Sequence, residues 1–402
     1  MKDSTETNYD YLFIGGGIAA GYAAEGIREI DKKGSIGILS SDQDGPYTRP
    51  ALSKKIWTDD AFTTEDVPFD TAEETGADVI LDTVVTKIDR ENKTVTTEDG
   101  KSYTYGKLLL VTGGEPQTLE GPEDDHVIAF RSFEDYRKLR DVSGNNQHVI
   151  VVGGSYIGTE LAANLKLNNT QVTLVYPQQV LGDTRFPLEL AKEYEDSYRG
   201  AGVTLMHDSR ADSYSKKDGK LVLELNNGET VEGDALVLGL GVKPRLALAE
   251  KAGLDVEDGV IVDEYFQTSD PDIYAAGDIS AYPDPILGRH RIEHVDHARK
   301  SGTAVGKSMA GAGEPYDYTP YFYSKVFDIS WKAIGTLDPD LHIFIDHVDE
   351  GKVAYYLKEG KPVGILTWNV DADLDKVREV LKNPPETAED LRGLIRDKEN
   401  DA

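Results

Sequence analysis

Two short glycine-rich stretches carry the first chemical signal. Gly15-Gly16-Gly17-Ile18-Ala19-Ala20 follows the apolar run Tyr9 to Ile14 and precedes a segment, Gly21 to Ile30, with the apolar spacing of a helix. A strand, a glycine turn and a helix in that order make a nucleotide-binding unit. At the fingerprint positions Gly15, Gly17 and Ala20 the backbone can approach a pyrophosphate, and the helix start supplies free N–H groups and positive dipole. Asp42 lies beyond the next strand, Ser35 to Ser40, and is placed to bind a ribose. Without a ligand the same turn would be a plain α/β connection, and a second unit argues against that.

The second unit is the strand His148 to Val152, the turn Gly153-Gly154-Ser155-Tyr156-Ile157-Gly158, a helix from Thr159 to Leu167 and a strand Gln171 to Tyr176. It departs from the pattern twice. Ser155 stands at the middle glycine, small enough for a pyrophosphate still to fit. Where a carboxylate should meet the ribose 2′-hydroxyl, the chain has Tyr176, Pro177, Gln178 and Gln179, with no arginine immediately adjacent. Gln178 is the residue expected at the ribose, and the choice between NADH and NADPH stays open.

Composition narrows the chemistry. The 402 residues contain no cysteine, which excludes disulfides, thiolate metal sites and catalytic thiols. His290, His294 and His297 cluster without a clean metal spacing, so no metal is expected. The net charge of −30 disfavours nucleic acid and anionic membranes as partners. It fits either a salt-rich cytoplasm or a merely acidic enzyme. No apolar run reaches the length of a membrane span, and the polar start from Met1 to Asp10 has no signal-peptide core, so the expected location is cytoplasmic. Two nucleotide units without cysteine point to a tightly held flavin dinucleotide and an exchanging nicotinamide dinucleotide.

Other elements must position these turns. Residues 79–99 alternate like hairpin strands, Leu108 to Gly113 is a strand, and 203–231 is antiparallel with turns at Asp218-Gly219 and Asn227-Gly228. Strands ending in glycine recur at Leu236 to Gly241 and Ile273 to Asp278. Beyond Pro320 come short strands, a helix from Asp373 to Leu381 stopped by Pro384-Pro385, and an acidic tail expected to fray.

Pro46-Tyr47-Thr48-Arg49-Pro50-Ala51-Leu52-Ser53-Lys54 and Thr268 to Asp278 resemble the FAD motifs of the FAD-dependent pyridine nucleotide reductases. The resembling branch lacks cysteines and includes putidaredoxin and rubredoxin reductases, apoptosis-inducing factor and monodehydroascorbate reductase. Ile292-Glu293-His294-Val295-Asp296-His297-Ala298-Arg299-Lys300-Ser301, Tyr316 to Trp331 and Leu165 to Asn169 look most like monodehydroascorbate reductase. The resemblance spans nearly the whole chain.

It implies roles residue by residue. Arg49 and Lys54 face the flavin, and Glu160, expected in the first turn of its helix, pairs with Lys54 beside flavin N5. Asp278 meets the ribityl chain or caps a helix. Glu293, His294, Val295 and Tyr323 lie near the flavin ring. Gly113, Gly241 and Gly277 complete the cofactor set, with Tyr156, Ile157 and Gly158 for the nicotinamide dinucleotide. Arg299 and Tyr323 match positions that bind a radical substrate, and Arg299 could instead pair with Asp296 along a helix.

The expected fold is α/β, with two Rossmann-like doubly wound domains and a C-terminal α+β domain. The FAD domain takes residues 1–114 and 236–312, the NAD(P)H domain 115–235 and the last domain 313–402. The expected activity is that of an FAD-dependent NAD(P)H oxidoreductase with FAD and NAD(P)H as cofactors. Its electrons go to a small-molecule acceptor such as monodehydroascorbate or a quinone. The alternatives are a ferredoxin or rubredoxin acceptor, or a redox-sensing role like that of apoptosis-inducing factor.

Overall fold

A computed structural model describes residues 7–348 and 351–398. By contact the chain divides into two compact units. The first joins residues 1–49, 63–115 and 243–320, and the second joins 50–62, 116–242 and 321–402.

The first unit is built on the strand Thr7–Ile14, whose inner residues are apolar and buried. It pairs in parallel with Ile36–Leu39 on one side and Ser102–Leu110 on the other. Asp78–Ile80 extends the sheet beyond Ile36–Leu39, and Ile273–Ala275 adds in parallel to the end of Ser102–Leu110. The expected hairpin over 79–99 resolves into Val85–Asp89 and Thr94–Thr97, which join antiparallel. Strands buried on both faces require helices over them. The helices Ile18–Ile30 and Val295–Met309 supply such cover, and they approach closely: a Cβ on Gly306 would stand 2.2 Å from the Ala23 carbonyl oxygen.

The second unit repeats the plan. His148–Val152 is flanked in parallel by Gln171–Val175 and Ala235–Leu238, and the order of the five-stranded sheet is 204–206, 171–175, 148–152, 235–238, 127–129. Three antiparallel strands, Ala211–Lys217, Lys220–Leu225 and Thr230–Gly233, lie beside it and share an apolar core with it through Leu223, Leu225 and Leu236.

Two segments group with this unit rather than by their place in the sequence. Residues 50–62 are tied to the helix Tyr156–Leu167 by Asn164 Nδ2, which donates to the Ser53 carbonyl at 2.6 Å, and by Asn168 Nδ2, which donates to the Trp57 carbonyl at 3.1 Å. The C-terminal five-stranded antiparallel sheet packs through aromatic side chains. Phe186 makes edge contacts with Trp331 at 5.4 Å and Trp368 at 5.2 Å, both tryptophans being buried. Lys352 pairs with Glu189 and Glu193 of the helix Leu188–Gly200. This packing sets the grouping apart from the three-domain division expected from sequence.

Several boundaries differ. Both glycine-turn helices begin earlier than their apolar spacing suggests, at Ile18 and Tyr156, because the turn winds straight into helix. Glu160 therefore sits in the second turn of its helix rather than the first. The late helix is Leu374–Lys382, and Asp373 is its N-cap. The tail does not fray up to Lys398: Leu391 and Ile395 are buried, and Gly393 N donates to Asp346 at 2.6 Å. Residues 1–6 of the polar start and 399–402 of the tail lie outside the described residues. No helix among the described residues is long and apolar enough to cross a membrane.

Candidate functional site

The two glycine turns are near copies. Gly15 and Gly153 share φ = +113°, and a Cβ would stand 2.2 Å from the Val111 carbonyl oxygen at the first and 2.3 Å from that of Gly239 at the second. Only glycine satisfies both the backbone and the space. The following helices have no side-chain cap and no acidic residue in their first turn. Their leading N–H groups and positive dipole ends are left for an anion. No atom lies within 4 Å of where a Cβ on Gly17 would be, which leaves room for a pyrophosphate at the first turn. Ser155 holds the equivalent place in the second, and its hydroxyl turns back to donate to Gly239 O at 2.8 Å. The residues present fit a dinucleotide at each turn.

At the first turn the carboxylate of Asp42 is engaged locally, accepting from Tyr47 Oη at 3.1 Å and from Asp44 N at 3.2 Å. Arg49 lies with Cζ 4.9 Å from the Tyr47 ring. Gly113 and Gly277, both at positive φ, and half-buried Asp278 lie at the ends of their strands. Asp278 belongs to a short 3-10 turn, Gly277–Ile279, whose N-cap is Ala276, so it is not itself the cap.

At the second turn, Tyr156 and half-exposed Ile157 open the helix and Gly158 packs against Gly153. Gly241, at positive φ, closes the neighbouring strand and accepts from Gln117 N at 3.0 Å. Gln178 lies beside the second turn: its Oε1 is 3.3 Å from a Cβ built on Gly154, buried and with no hydrogen-bond donor. The structure adds a residue that the sequence reading missed. Arg185 donates from Nη2 to the Gly154 carbonyl at 3.2 Å and stacks over the Tyr156 ring at 4.5 Å. It is seven residues beyond Gln178, and the turn after the strand brings it back. A basic residue anywhere in that turn was the available signal.

Lys54, Glu160 and Tyr323 come together in the second unit. Lys54 Nζ lies 2.7 Å from Glu160 Oε1 and 5.2 Å from the centre of the Tyr323 ring. The Glu160 side chain is 1% exposed and that of Lys54 23%. A buried carboxylate must be paired or heavily hydrogen-bonded, and this one also accepts from Ser53 Oγ and Ser324 Oγ.

The helix Val295–Met309 carries the other expected residues. His294 is its N-cap, with Nδ1 accepting from Asp296 N at 3.2 Å, and Glu293 pairs with Arg291. Asp296 accepts from Tyr318 Oη at 2.8 Å instead of pairing with Arg299. The Arg299 guanidinium faces the Tyr22 ring at 5.8 Å, and its Nε is buried without an acceptor. His297 is fully buried against the Tyr282 ring at 4.6 Å, and burial pushes its pKa down to about 4. Among the described residues no histidine and carboxylate cluster could hold a metal.

Two redox-type nucleotide units and a buried lysine–carboxylate pair, in a chain without thiols, define a flavin- and nicotinamide-using oxidoreductase. The profile of the family described as pyridine nucleotide-disulphide oxidoreductase matches residues 9–302, and the chain belongs to that family. It is 32% identical to monodehydroascorbate reductase of Solanum lycopersicum, over 96% of this chain and 97% of the relative. It is 34% identical to monodehydroascorbate reductase 2 of Arabidopsis thaliana, over 89% and 90%. Among solved structures, the putidaredoxin reductase–putidaredoxin complex matches with a TM-score of 0.86 at 25% identity, covering 94% of each chain. The ferredoxin reductase for the CYP199A2 system of Rhodopseudomonas palustris matches with a TM-score of 0.84 at 27% identity, over 93% and 94%. The protein is an FAD-dependent NAD(P)H oxidoreductase. Having no cysteine, it has no disulfide to relay electrons despite its family's name.

Proposed function

We propose that the protein reduces a small anionic acceptor of the monodehydroascorbate type with electrons from NAD(P)H. The observation that carries this reading is Arg299, a half-buried guanidinium with no ion pair among the described residues, in a chain whose net charge is −30. A partly buried guanidinium whose Nε has no acceptor is a place for an anion. Likeness to monodehydroascorbate reductases over nearly the full length supports the same acceptor class.

When bound, the cofactors supply hydride transfer from nicotinamide to flavin. The chain's own residues bind and orient. The uncapped helix starts at Ile18 and Tyr156 take the phosphates of FAD and NAD(P)H. Lys54, held by Glu160, brings positive charge to the flavin N5 region, which favours the reduced state. Tyr323 offers a ring face and a hydroxyl to the substrate. A protein acceptor is the second reading, supported by the ferredoxin and putidaredoxin reductases among the structural neighbours. The strongly acidic chain gives little long-range attraction to acidic carriers, which weighs against it.

A steady-state acceptor screen on the flavin-loaded protein tests the reading, with Arg299→Ala beside the wild type. Turnover with anionic small acceptors should fall at least tenfold more than turnover with a neutral quinone. Flavin reduction by NADH alone should barely change. An effect confined to the reductive half-reaction would assign Arg299 to the dinucleotide and leave the protein acceptor as the better reading.

A further inference from the structure

The carboxylate of Glu160 is gripped by three donors from two other chain segments. Ser53 Oγ, at the end of the short turn Arg49–Ser53, donates to Oε2 at 2.6 Å. Ser324 Oγ, on the strand Phe322–Val326, donates to Oε1 at 2.7 Å, the same oxygen that meets Lys54 Nζ at 2.7 Å. Ser53 is 1% exposed and Ser324 2%. A hydroxyl has one proton to give, and here each gives it to the carboxylate, in the short, charge-assisted class of hydrogen bond. Asn164 also holds the Ser53 carbonyl, so Ser53 is fixed to the helix by backbone and side chain together.

The arrangement has a mechanical consequence. One contact to Lys54 would leave the carboxylate able to swivel about its terminal bond. A donor on each oxygen fixes that rotation, and the ammonium, bound to Oε1, follows it. The strand residue next to Ser324 is Tyr323, whose ring faces the same ammonium.

We propose that Ser53 and Ser324 are positioning residues of the reaction. Their hydroxyls lock Glu160, and through it Lys54, in the orientation that flavin reduction uses. This rests on the role given above to the Lys54–Glu160 pair.

The test compares Ser53→Ala, Ser324→Ala and the matching threonine variants, each in the wild type and in Glu160→Gln, all flavin-loaded. Each alanine should slow NADH-driven flavin reduction on the order of tenfold, the scale of one hydrogen bond to a charged group, with KM for NADH unchanged. Threonine, which keeps the hydroxyl, should restore most of the rate. In Glu160→Gln the alanines should add no further slowing, and their effect on melting temperature should shrink in parallel, a readout independent of turnover. Equal slowing in both backgrounds would overturn the proposal, as would wild-type rates in both alanine variants while Glu160→Gln is slow. A Glu160→Gln protein that reduces at the wild-type rate would instead remove the underlying reading of the pair. Where an alanine variant fails to load flavin, Ser→Cys, nearly isosteric and a weak donor, takes its place with the same slowing expected.

Discussion

Exchanging Lys54 for methionine should cost more stability than exchanging Glu160 for glutamine, although the two residues share one ion pair. The asymmetry follows from exposure. Glu160 is 1% exposed and Lys54 23%. Lys54→Met strands a buried carboxylate with two hydroxyl donors and no cation. Breaking a buried pair from one side costs about 3–5 kcal/mol, and solvent reaching this pair on the lysine side places the expected loss at about 2–4 kcal/mol. Glu160→Gln keeps an acceptor oxygen for Ser53 or Ser324, and the lysine can turn to water, so about 1–2 kcal/mol is expected. The double variant carries no buried charge and should melt above Lys54→Met alone. With more than one compact unit the ordering of melting temperatures is the sound readout. Stopped-flow reduction should be slowed in all three variants while FAD is retained, because the pair is proposed to act at N5 and not at the pyrophosphate. A double variant that melts below Lys54→Met, or a glutamine variant as costly as the methionine, would refute the account of Glu160 as a charge that depends on its partner.

Three further outcomes are expected. Gln178→Glu should raise the NADH to NADPH ratio of kcat/KM several-fold, about 1 kcal/mol, by placing a carboxylate where the 2′-phosphate would sit; an unchanged ratio would remove Gln178 from the ribose. Arg185→Ala should raise KM for the nicotinamide dinucleotide about tenfold, with a larger effect on NADPH if the guanidinium meets the 2′-phosphate and an equal one if it meets the pyrophosphate; paired steady-state measurements distinguish these from no effect. His297 is neutral in the fold, with its pKa lowered by burial from 6.5 to about 4. The unfolded chain thus binds the extra proton first, and stability should fall as pH drops from 6.5 to 4, by up to about 3 kcal/mol. His297→Phe should flatten that part of the melting profile relative to wild type, and parallel profiles would contradict the assignment.

Much of this was legible because the informative features are local. A glycine turn, the strand before it and the helix after it are a dozen contiguous residues, and the first turn of each unit is found in the fold where the sequence places it. Gln178 lies three residues past Val175, where the strand ends and the chain leaves the sheet. The misses share one cause, which is distance along the chain. Arg185 returns to Gly154 through a turn whose shape no short-range pattern reports. Ser324 reaches Glu160 across 164 positions, and Ser53 across 107. Residues 50–62 follow the first nucleotide unit in sequence, yet Asn164 and Asn168 bind them to the helix of the second.

Acidic residues also misled where their partners are remote. The tail after Pro385 reads as solvated from its composition, but Leu391 and Ile395 are buried and Asp346, itself buried, receives the Gly393 amide. The same logic applies to Glu160. One carboxylate in an apolar helix, Ile157 to Leu167, has no charged neighbour in sequence that would justify burying it. Its three donors come from elsewhere, and together they make burial tolerable. A buried carboxylate whose three donors are gathered from two distant segments is costly to assemble and simple to disrupt. The proposed role of the pair beside flavin N5 therefore has its sharpest test in variants of Glu160 and its donors.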